Sequence, residues 1–265
     1  MRKRTLAHLS DLHLGRSAEL DQAARALCDA VSTGGIDHVV VTGDVTNRGR
    51  TVELETFHHI FDPLIHAGRV SIVPGNHDRL GDDCGPRLMK GGRVEAEIRD
   101  GLYVVRVDST GPHNRFLLAG HGVIDEDVLD RVDLALAGAP RKHLVVVILH
   151  HHLVPLPEET LPERISTRLG WRWAQELELG LTLLQRIRGR CDLVLHGHRH
   201  APRAMTLFAR DERPLGLYNA GCSTGLGRYR VFTHEEGRLS AKPFWAETAP
   251  DLFHELPAQT MAVGR

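Results

Sequence analysis

Ile36-Asp37-His38-Val39-Val40-Val41-Thr42, running into Gly43-Asp44-Val45-Thr46-Asn47-Arg48-Gly49, is the stretch from which the fold can be read. Its β-branched run lacks polar alternation, the pattern of a strand covered on both faces, as in parallel sheets. It stops abruptly at a glycine and a carboxylate. On its N-terminal side, Thr5–Ser10 reads as a strand ending in Asp11-Leu12-His13-Leu14-Gly15-Arg16. A helix is predicted over Ala18–Ser32, with Leu20, Ala23, Ala24, Leu27, Ala30 and Val31 at helical spacing and Gly34-Gly35 as its stop. On the C-terminal side a helix is expected from Val52 to His66, burying Leu54, Phe57, His58, Phe61 and Ile65. A third strand, Arg69–Val73, stops at Pro74-Gly75-Asn76-His77-Asp78-Arg79. This β-α-β-α-β run predicts an α/β fold whose ligand site lies beyond the carboxyl ends of the strands.

Further along, Arg93–Ile98 and Leu102–Asp108 read as a hairpin turning at Asp100-Gly101, and Asp125–Ala137 as a helix. Strand Leu144–Leu149 ends in His150-His151-His152. Side chains alternate along an extended segment, so His150 is expected in the site, His151 is second choice, and the remainder are expected to face solvent. Leu153–Gly170 carries three prolines and reads as a long loop over the site. Trp171–Arg188 has Leu177, Leu181, Leu184 and Ile187 at helical intervals, while Trp171 and Trp173 fit either core or a substrate pocket. The strand Cys191–Leu195 runs into His196-Gly197-His198-Arg199-His200, three histidines at alternate positions. A hairpin over Ala204–Ala209 and Pro214–Asn219, a small-residue segment Ala220–Gly227 and a strand Tyr229–Thr233 follow. Residues 1–246 read as one domain and 247–265 as a C-terminal arm or disordered tail, which could serve a homo-oligomer.

The 265 residues are 42% hydrophobic and 25% charged, the balance of a soluble globular protein. A net charge of -1 leaves no electrostatic footprint for nucleic acid or an acidic membrane. Cys28, Cys84, Cys191 and Cys222 are widely spaced and never form a CxxC pair, which fits reduced thiols. The apolar stretch after Arg2-Lys3-Arg4 is broken by His8, Ser10 and Asp11, too early for a signal-peptide core. No run approaches a transmembrane span, so a cytoplasmic protein is expected. Eighteen histidines form the compositional outlier.

Gathered from the strand ends, Asp11, His13, Asp44, Asn76, His77, His150, His198 and His200 supply enough donors for two metal ions. Any one of these loops reads equally well as a cap or turn; consecutive strand ends all carrying metal-competent residues do not. Asp44 is central because a carboxylate can bridge two cations. A nitrogen and oxygen donor set without thiolate suits Mn, Fe or Zn in a catalytic centre. Two such ions can clamp a phosphoryl group and lower the pKa of a shared water. The expected reaction is in-line attack of a metal-bridging hydroxide on a phosphoester.

In chain order, Asp11-x-His13, Gly43-Asp44-x-x-Asn47, Gly75-Asn76-His77-Asp78, the station at His150 and Gly197-His198-x-His200 resemble the calcineurin-like metallophosphoesterase superfamily. The resemblance implies a four-layer α/β/β/α sandwich of two mixed sheets flanked by helices. It further implies that Asp11, His13, Asp44 and His200 hold one metal, and Asp44, Asn76, His150 and His198 the other. His77 falls where the family keeps the histidine that stabilises the transition state or protonates the leaving group, with Asp78 as its orienting partner. His196 is left outside the ligand set. Asn47 and the arginines Arg16, Arg48 and Arg79, all beside ligands, are expected substrate contacts. Gly43–Gly49, with Asn47 in place of the nuclease branch's histidine, is most similar to class III cyclic-nucleotide phosphodiesterases. That favours a small-molecule phosphodiester substrate. The alternatives are a UDP-diacylglucosamine-type pyrophosphatase, another phosphodiester or phosphomonoester hydrolase, and a non-catalytic scaffold of the same fold.

Overall fold

The computed structural model describes residues 2–116, 119–154 and 177–248. The first strand, β1 (Arg4–Leu9), is followed by α1 (Ala18–Thr33), β2 (His38–Thr42), α2 (Thr51–His66) and β3 (Val70–Val73). Both crossovers return the chain parallel, so β1, β2 and β3 lie side by side in one direction. β4 (Val94–Arg99) and β5 (Leu102–Val107) form the expected hairpin, followed by α3 (Glu126–Ala137) and β6 (Leu144–Ile148). Then come α4 (Gly180–Ile187), β7 (Leu193–His196), β8 (Arg203–Leu207), β9 (Leu215–Asn219) and a single turn, α5 (Ser223–Leu226). The last strands are β10 (Arg228–Glu235), β11 (Arg238–Leu239) and β12 (Phe244–Glu247).

Two mixed sheets result. One has the order β11-β10-β1-β2-β3 with β12 also on β10, and the other β4-β5-β6-β7-β9-β8. Strand alternation decides the layers. From β5, Leu102 and Val104 enter the core between the sheets, whereas Tyr103, Val105 and Val107 pack under α3 and α4. From β2, Val40 faces the interlayer while Val39 and Val41 pack under α1 and α2. Strands buried on both sides therefore read as unbroken apolar runs, and the architecture is a four-layer α/β/β/α sandwich. α1 starts where Ser17 accepts a hydrogen bond from Leu20 N, and α3 where Asp125 accepts from Val128 N.

The interlayer is not wholly apolar. His38 Nε2 lies 2.8 Å from Ser71 Oγ, Ser71 donates to Glu97, and Arg106 pairs with Glu95 and Glu97.

Several expectations change in detail. On α2 the buried face is Leu54, Phe57, Ile60, Phe61 and Leu64; His58 is exposed, because it lies on the side of α2 away from the sheet. The helix expected from Trp171 begins, among the described residues, only at Gly180. Leu177 precedes it, and Leu181 faces solvent at 59% exposure while Leu183 supplies the buried contact. Trp171, Trp173 and most of the loop expected over the site fall in 155–176, outside the described residues. The proposed arm does too from residue 249 onward, and Glu247 is the last residue of β12. All four cysteines are free and buried. Among the described residues no helix is long and apolar enough to cross a membrane.

Candidate metal centre

Parallel strands deliver their carboxyl ends to one edge of the sandwich, and the loops there are bound to each other. Asp11 N donates to Gly43 O, His13 N to Asp44 O, Leu14 N to Val45 O and Asn47 N to Leu14 O. The loops after β1 and β2 thus run on together as an irregular ladder. Asp11, His13, Asp44 and His198 all have left-handed φ, between 48° and 72°. Non-glycine residues adopt that region at a cost of order 1 kcal/mol each, and such strain gathers where function demands a direction of side chain.

Two groups of donors face each other across Asp44. In the first, Asp11, His13 and His200 bring one ligand atom each within 4.8 Å of one another. In the second, Asn76 Oδ1 lies 3.1 Å from His150 Nε2 and 3.0 Å from His198 Nδ1. Asp44 turns one oxygen to each side: Oδ1 is 3.5 Å from His150 Nε2 and Oδ2 is 3.9 Å from His13 Nε2. Backbone amides fix both carboxylates, His77 N donating to Asp44 Oδ1 at 2.8 Å and His198 N to Asp11 Oδ2 at 3.1 Å. Asp11, His13, Asp44 and His150 form a buried floor, while Asn76, His77, His198 and His200 are half-buried at the mouth.

Glycines make this closeness possible. A Cβ on Gly75 would stand 2.2 Å from Asp44 Oδ1, and one on Gly197 would stand 1.9 Å from Ser10 Oγ and 2.4 Å from Asp11 Oδ2.

The donor set fits cations better than it fits itself. Thr42 O can only accept, so His150 Nδ1 carries the hydrogen and donates to it at 2.8 Å. A neutral imidazole then presents a bare lone pair at Nε2, facing the acceptor oxygens of Asn76 and Asp44. His13 Nδ1 is buried with no hydrogen-bond partner, and buried Asp11 Oδ1 has only the misaligned His200 ring at 3.4 Å. His13 Nε2 and His200 Nε2 are only 3.1 Å apart. Lone pairs converging in a buried pocket repel unless a positive charge stands between them.

The electrostatics agree for Asp11, His13 and His198, whereas His200 is drawn toward its charged form by the Asp11 carboxylate. Burial lowers His13 from 6.5 to about 3, against the opposing pull of the Asp44 charge. It also drives His198 well below its ordinary value, so both offer neutral imidazole. Burial would raise Asp11, but His200 at 3.4 Å and the surrounding histidines outweigh it and keep the carboxylate ionised. Burial likewise opposes the charged form of His200, and Asp11 with Asp44 overcomes it and raises the pKa.

His77 reaches the same space. One of its ring nitrogens lies within 4.8 Å of ligand atoms of His13 and Asp44, and Nδ1 donates to Asn47 O at 2.7 Å. The orienting partner of His77 is therefore a backbone carbonyl and not Asp78. Asp78 accepts from Thr46 N, Thr46 Oγ1, Val45 N and Gly75 N, holding the loops after β2 and β3 together beneath the site. Burial and the Asp44 charge push it up to about 6.

The other expected residues separate. Asn47 contributes the carbonyl that holds His77. Arg16 is exposed, within electrostatic reach of His200, and Arg48 is exposed beside the loop. The Arg79 guanidinium is instead taken up by Asp83 and by Thr110 at 2.9 Å, which leaves it committed to structure. His151 and His152 are not at the surface: they are 1% and 3% exposed. The chain leaves β6 at Ile148, and the β5–α3 loop covers His151, whose ring nitrogens bond Ser109 Oγ at 2.8 Å and Gly120 O at 3.0 Å. Both nitrogens have partners there, although the ring still lies within 4.8 Å of ligand atoms of His150 and His198, and it is His150 whose Nε2 faces Asp44 and Asn76. His196 is buried and bends its Nδ1 toward Gly197 O. Sequence reasoning missed the loop that carries Gly120. A Cβ there would touch Asn76 Nδ2 at 3.6 Å and His198 Cε1 at 3.7 Å, so the loop forms a wall of the centre without any motif residue.

Comparisons with known proteins bear on this edge directly. Among solved structures the chain is similar to a purple acid phosphatase from yellow lupin (Lupinus luteus) seeds, at TM-score 0.61 and 11% identity over 98% of this chain. It spans 57% of the lupin chain's length. It is also similar to a dimetal phosphatase from Danio rerio, at TM-score 0.58 and 11% identity, covering 93% of this chain and 99% of that one. A third similar structure is a protein from Thermus thermophilus, at TM-score 0.58 and 13% identity, with 94% and 100% covered. At these identities the likeness is one of fold. No curated protein matches by sequence. The calcineurin-like phosphoesterase family matches over residues 4–202, which takes in every strand end described above. The chain belongs to the calcineurin-like phosphoesterase family.

Proposed function

We propose that this chain hydrolyses a small phosphodiester, a cyclic nucleotide being the favoured substrate. Asp11, His13, Asp44 and His200 would hold one cation, and Asp44, Asn76, His150 and His198 the other. The observation that carries the assignment is the convergence of bare donor atoms on Asp44, whose two oxygens face the two groups. Bound there, Mn, Fe or Zn ions would polarise the phosphoryl oxygens and acidify water. The chain's own residues do the rest. His77, locked through Nδ1 by Asn47 O, presents Nε2 to the mouth, where its imidazolium form can stabilise the transition state or hand the Nε2 proton to the leaving oxygen. Such a donor matters most when the leaving group is an alkoxide, as in opening a cyclic phosphodiester. Arg16, Arg48 and the Asn47 side chain, at the same rim, are the candidate substrate contacts. The motif Gly43–Gly49 supports the cyclic-nucleotide reading, and free buried thiols support a reducing, cytoplasmic setting.

The test is turnover of bis(p-nitrophenyl) phosphate with added Mn²⁺, followed by a panel of cyclic AMP, UDP-diacylglucosamine and glycerophosphodiesters ranked by kcat/KM. Cyclic AMP is expected to rank first. A higher kcat/KM for the pyrophosphate or for a phosphomonoester would overturn the substrate class. Silence with every substrate, with both metals shown bound, would make the chain a scaffold.

A further inference from the structure

Away from the metal centre, at the border of the interlayer where β10 and β12 approach β9, the chain buries positive charge without an answer to it. Arg228 and Arg230 alternate on β10 and so share one face. Arg230 is paired in register with His8 on β1 and Trp245 on β12. The Arg230 guanidinium carbon lies 4.2 Å from the Trp245 ring centroid and 5.2 Å from that of Tyr218. Arg228 lies 4.5 Å over the same indole. Arg230 is 7% exposed. Both Nε atoms are sealed from solvent and have no hydrogen-bond partner.

Among the described residues no carboxylate pairs with either guanidinium. Glu247 stands opposite Arg228 in register but is exposed and forms no ion pair there. The orphan Nε is shared with Arg106, but Arg106, 4% exposed, has carboxylates at its other nitrogens, being met by Glu95, Glu97 and Leu88 O. A buried charge lacking hydrogen bonds is costly, and the two neighbouring cations add repulsion that stacking on one indole only partly offsets. Burial and the Arg228 charge both work against the charged form of Arg230, with Tyr218 opposing them. The remaining ionisable neighbour, His8, is held neutral by burial. Among the described residues, no negative group answers the pair.

We propose that Arg228 and Arg230, stacked on Trp245, form a binding site for a small oxyanion of the phosphate class. Two planar guanidinium forks beside one indole, on one face of β10, supply the kind of N–H donors that pair with the oxygens of a phosphate. The site shares no residue with the metal centre, so it stands or falls independently of the substrate reading.

The experiment is a titration of inorganic phosphate into the full-length, metal-loaded protein in constant chloride, repeated after chelation. Isothermal titration and tryptophan fluorescence are followed together. The expected result is one saturable site that survives chelation and quenches fluorescence. Arg228→Gln, at a half-exposed position, should weaken that site by about tenfold or more, the loss of one charge-assisted hydrogen bond. The same variant should leave bis(p-nitrophenyl) phosphate turnover unchanged. Arg230→Lys should weaken the site similarly while keeping the charge, and Trp245→Phe should remove the quenching. Absence of a chelation-resistant site, undiminished affinity in Arg228→Gln, or quenching that persists in Trp245→Phe would each overturn the proposal.

Discussion

Replacing Gly75 by alanine tests the geometry of the centre without touching a donor atom. The added methyl would lie 2.2 Å from Asp44 Oδ1, 2.3 Å from Asp44 N and 2.9 Å from Asp44 Cγ, where ordinary contact begins at 3.4 Å. The shortfall exceeds 1 Å and falls partly on backbone, so side-chain rotation of Asp44 cannot relieve it. The two loops are moreover tied close to where the methyl would enter: Thr46 N donates to Asp78 Oδ1 and His77 N to Asp44 Oδ1, both at 2.8 Å. Relief therefore requires the β3 loop to move away from the β2 loop by about an ångström. Overpacking of this kind costs about 1–3 kcal/mol of stability. A displacement of about 1 Å at a reacting centre costs about 10²-fold in rate. The assay is kcat/KM for bis(p-nitrophenyl) phosphate in saturating Mn²⁺, with metal content by mass spectrometry and melting by circular dichroism. Gly120→Ala is the control, because its methyl meets nothing nearer than 3.6 Å although it faces the same ligands. Gly75→Ala with near-native turnover and both metals bound would refute the reasoning, as would equal damage from the two variants.

Three further outcomes are expected. Asp44→Asn should lower turnover by at least about 10²-fold and reduce metal content, since a carboxamide leaves one group of donors without its shared charge; retention of native rate would remove Asp44 from the bridging role. His77→Ala should slow the reaction by about 10²–10⁴-fold while both metals stay bound, and metal loss in that variant would make His77 a ligand. Stability should fall as pH drops from about 6.5 toward 4. Burial lowers His38 from 6.5 to about 4, so the unfolded chain takes up its proton first and the native state loses up to ~3 kcal/mol across that window. Denaturant melts at pH 7 and pH 5 should show a smaller loss for His38→Gln than for the native chain, and identical losses would exclude His38 as the source.

Much of the centre is legible along the chain because its residues sit where apolar runs end. Asp11, His13, Asp44, Asn76, His150, His198 and His200 all follow strands directly, so reading the strands locates them. Less is legible where a partner comes from an element distant in sequence. The histidine triplet shows this: His151 reads as a second candidate or a surface residue, and only the β5–α3 loop, through residues 42 and 31 positions upstream, gives both its nitrogens partners. Asp78 reads as the natural partner of its neighbour His77, but in the short 3-10 turn His77–Arg79 adjacent side chains diverge, and Asp78 reaches the Thr46 backbone instead. Arg79 likewise finds Asp83 one helical turn further on.

Read as a string of residues, the chain dictates the order of its elements and the chemistry at their ends, because burial on both faces and the donor types of Asp and His are properties of the residues themselves. Which donors are free is settled only in three dimensions. That depends on hydrogen bonds made across the sheets, such as Thr42 O setting the tautomer of His150 and Asn47 O that of His77. Three-dimensional packing also sets two arginines from one strand, one of them buried, against a tryptophan from another, with no carboxylate among the described residues to pair with them. No local pattern encodes such a missing partner.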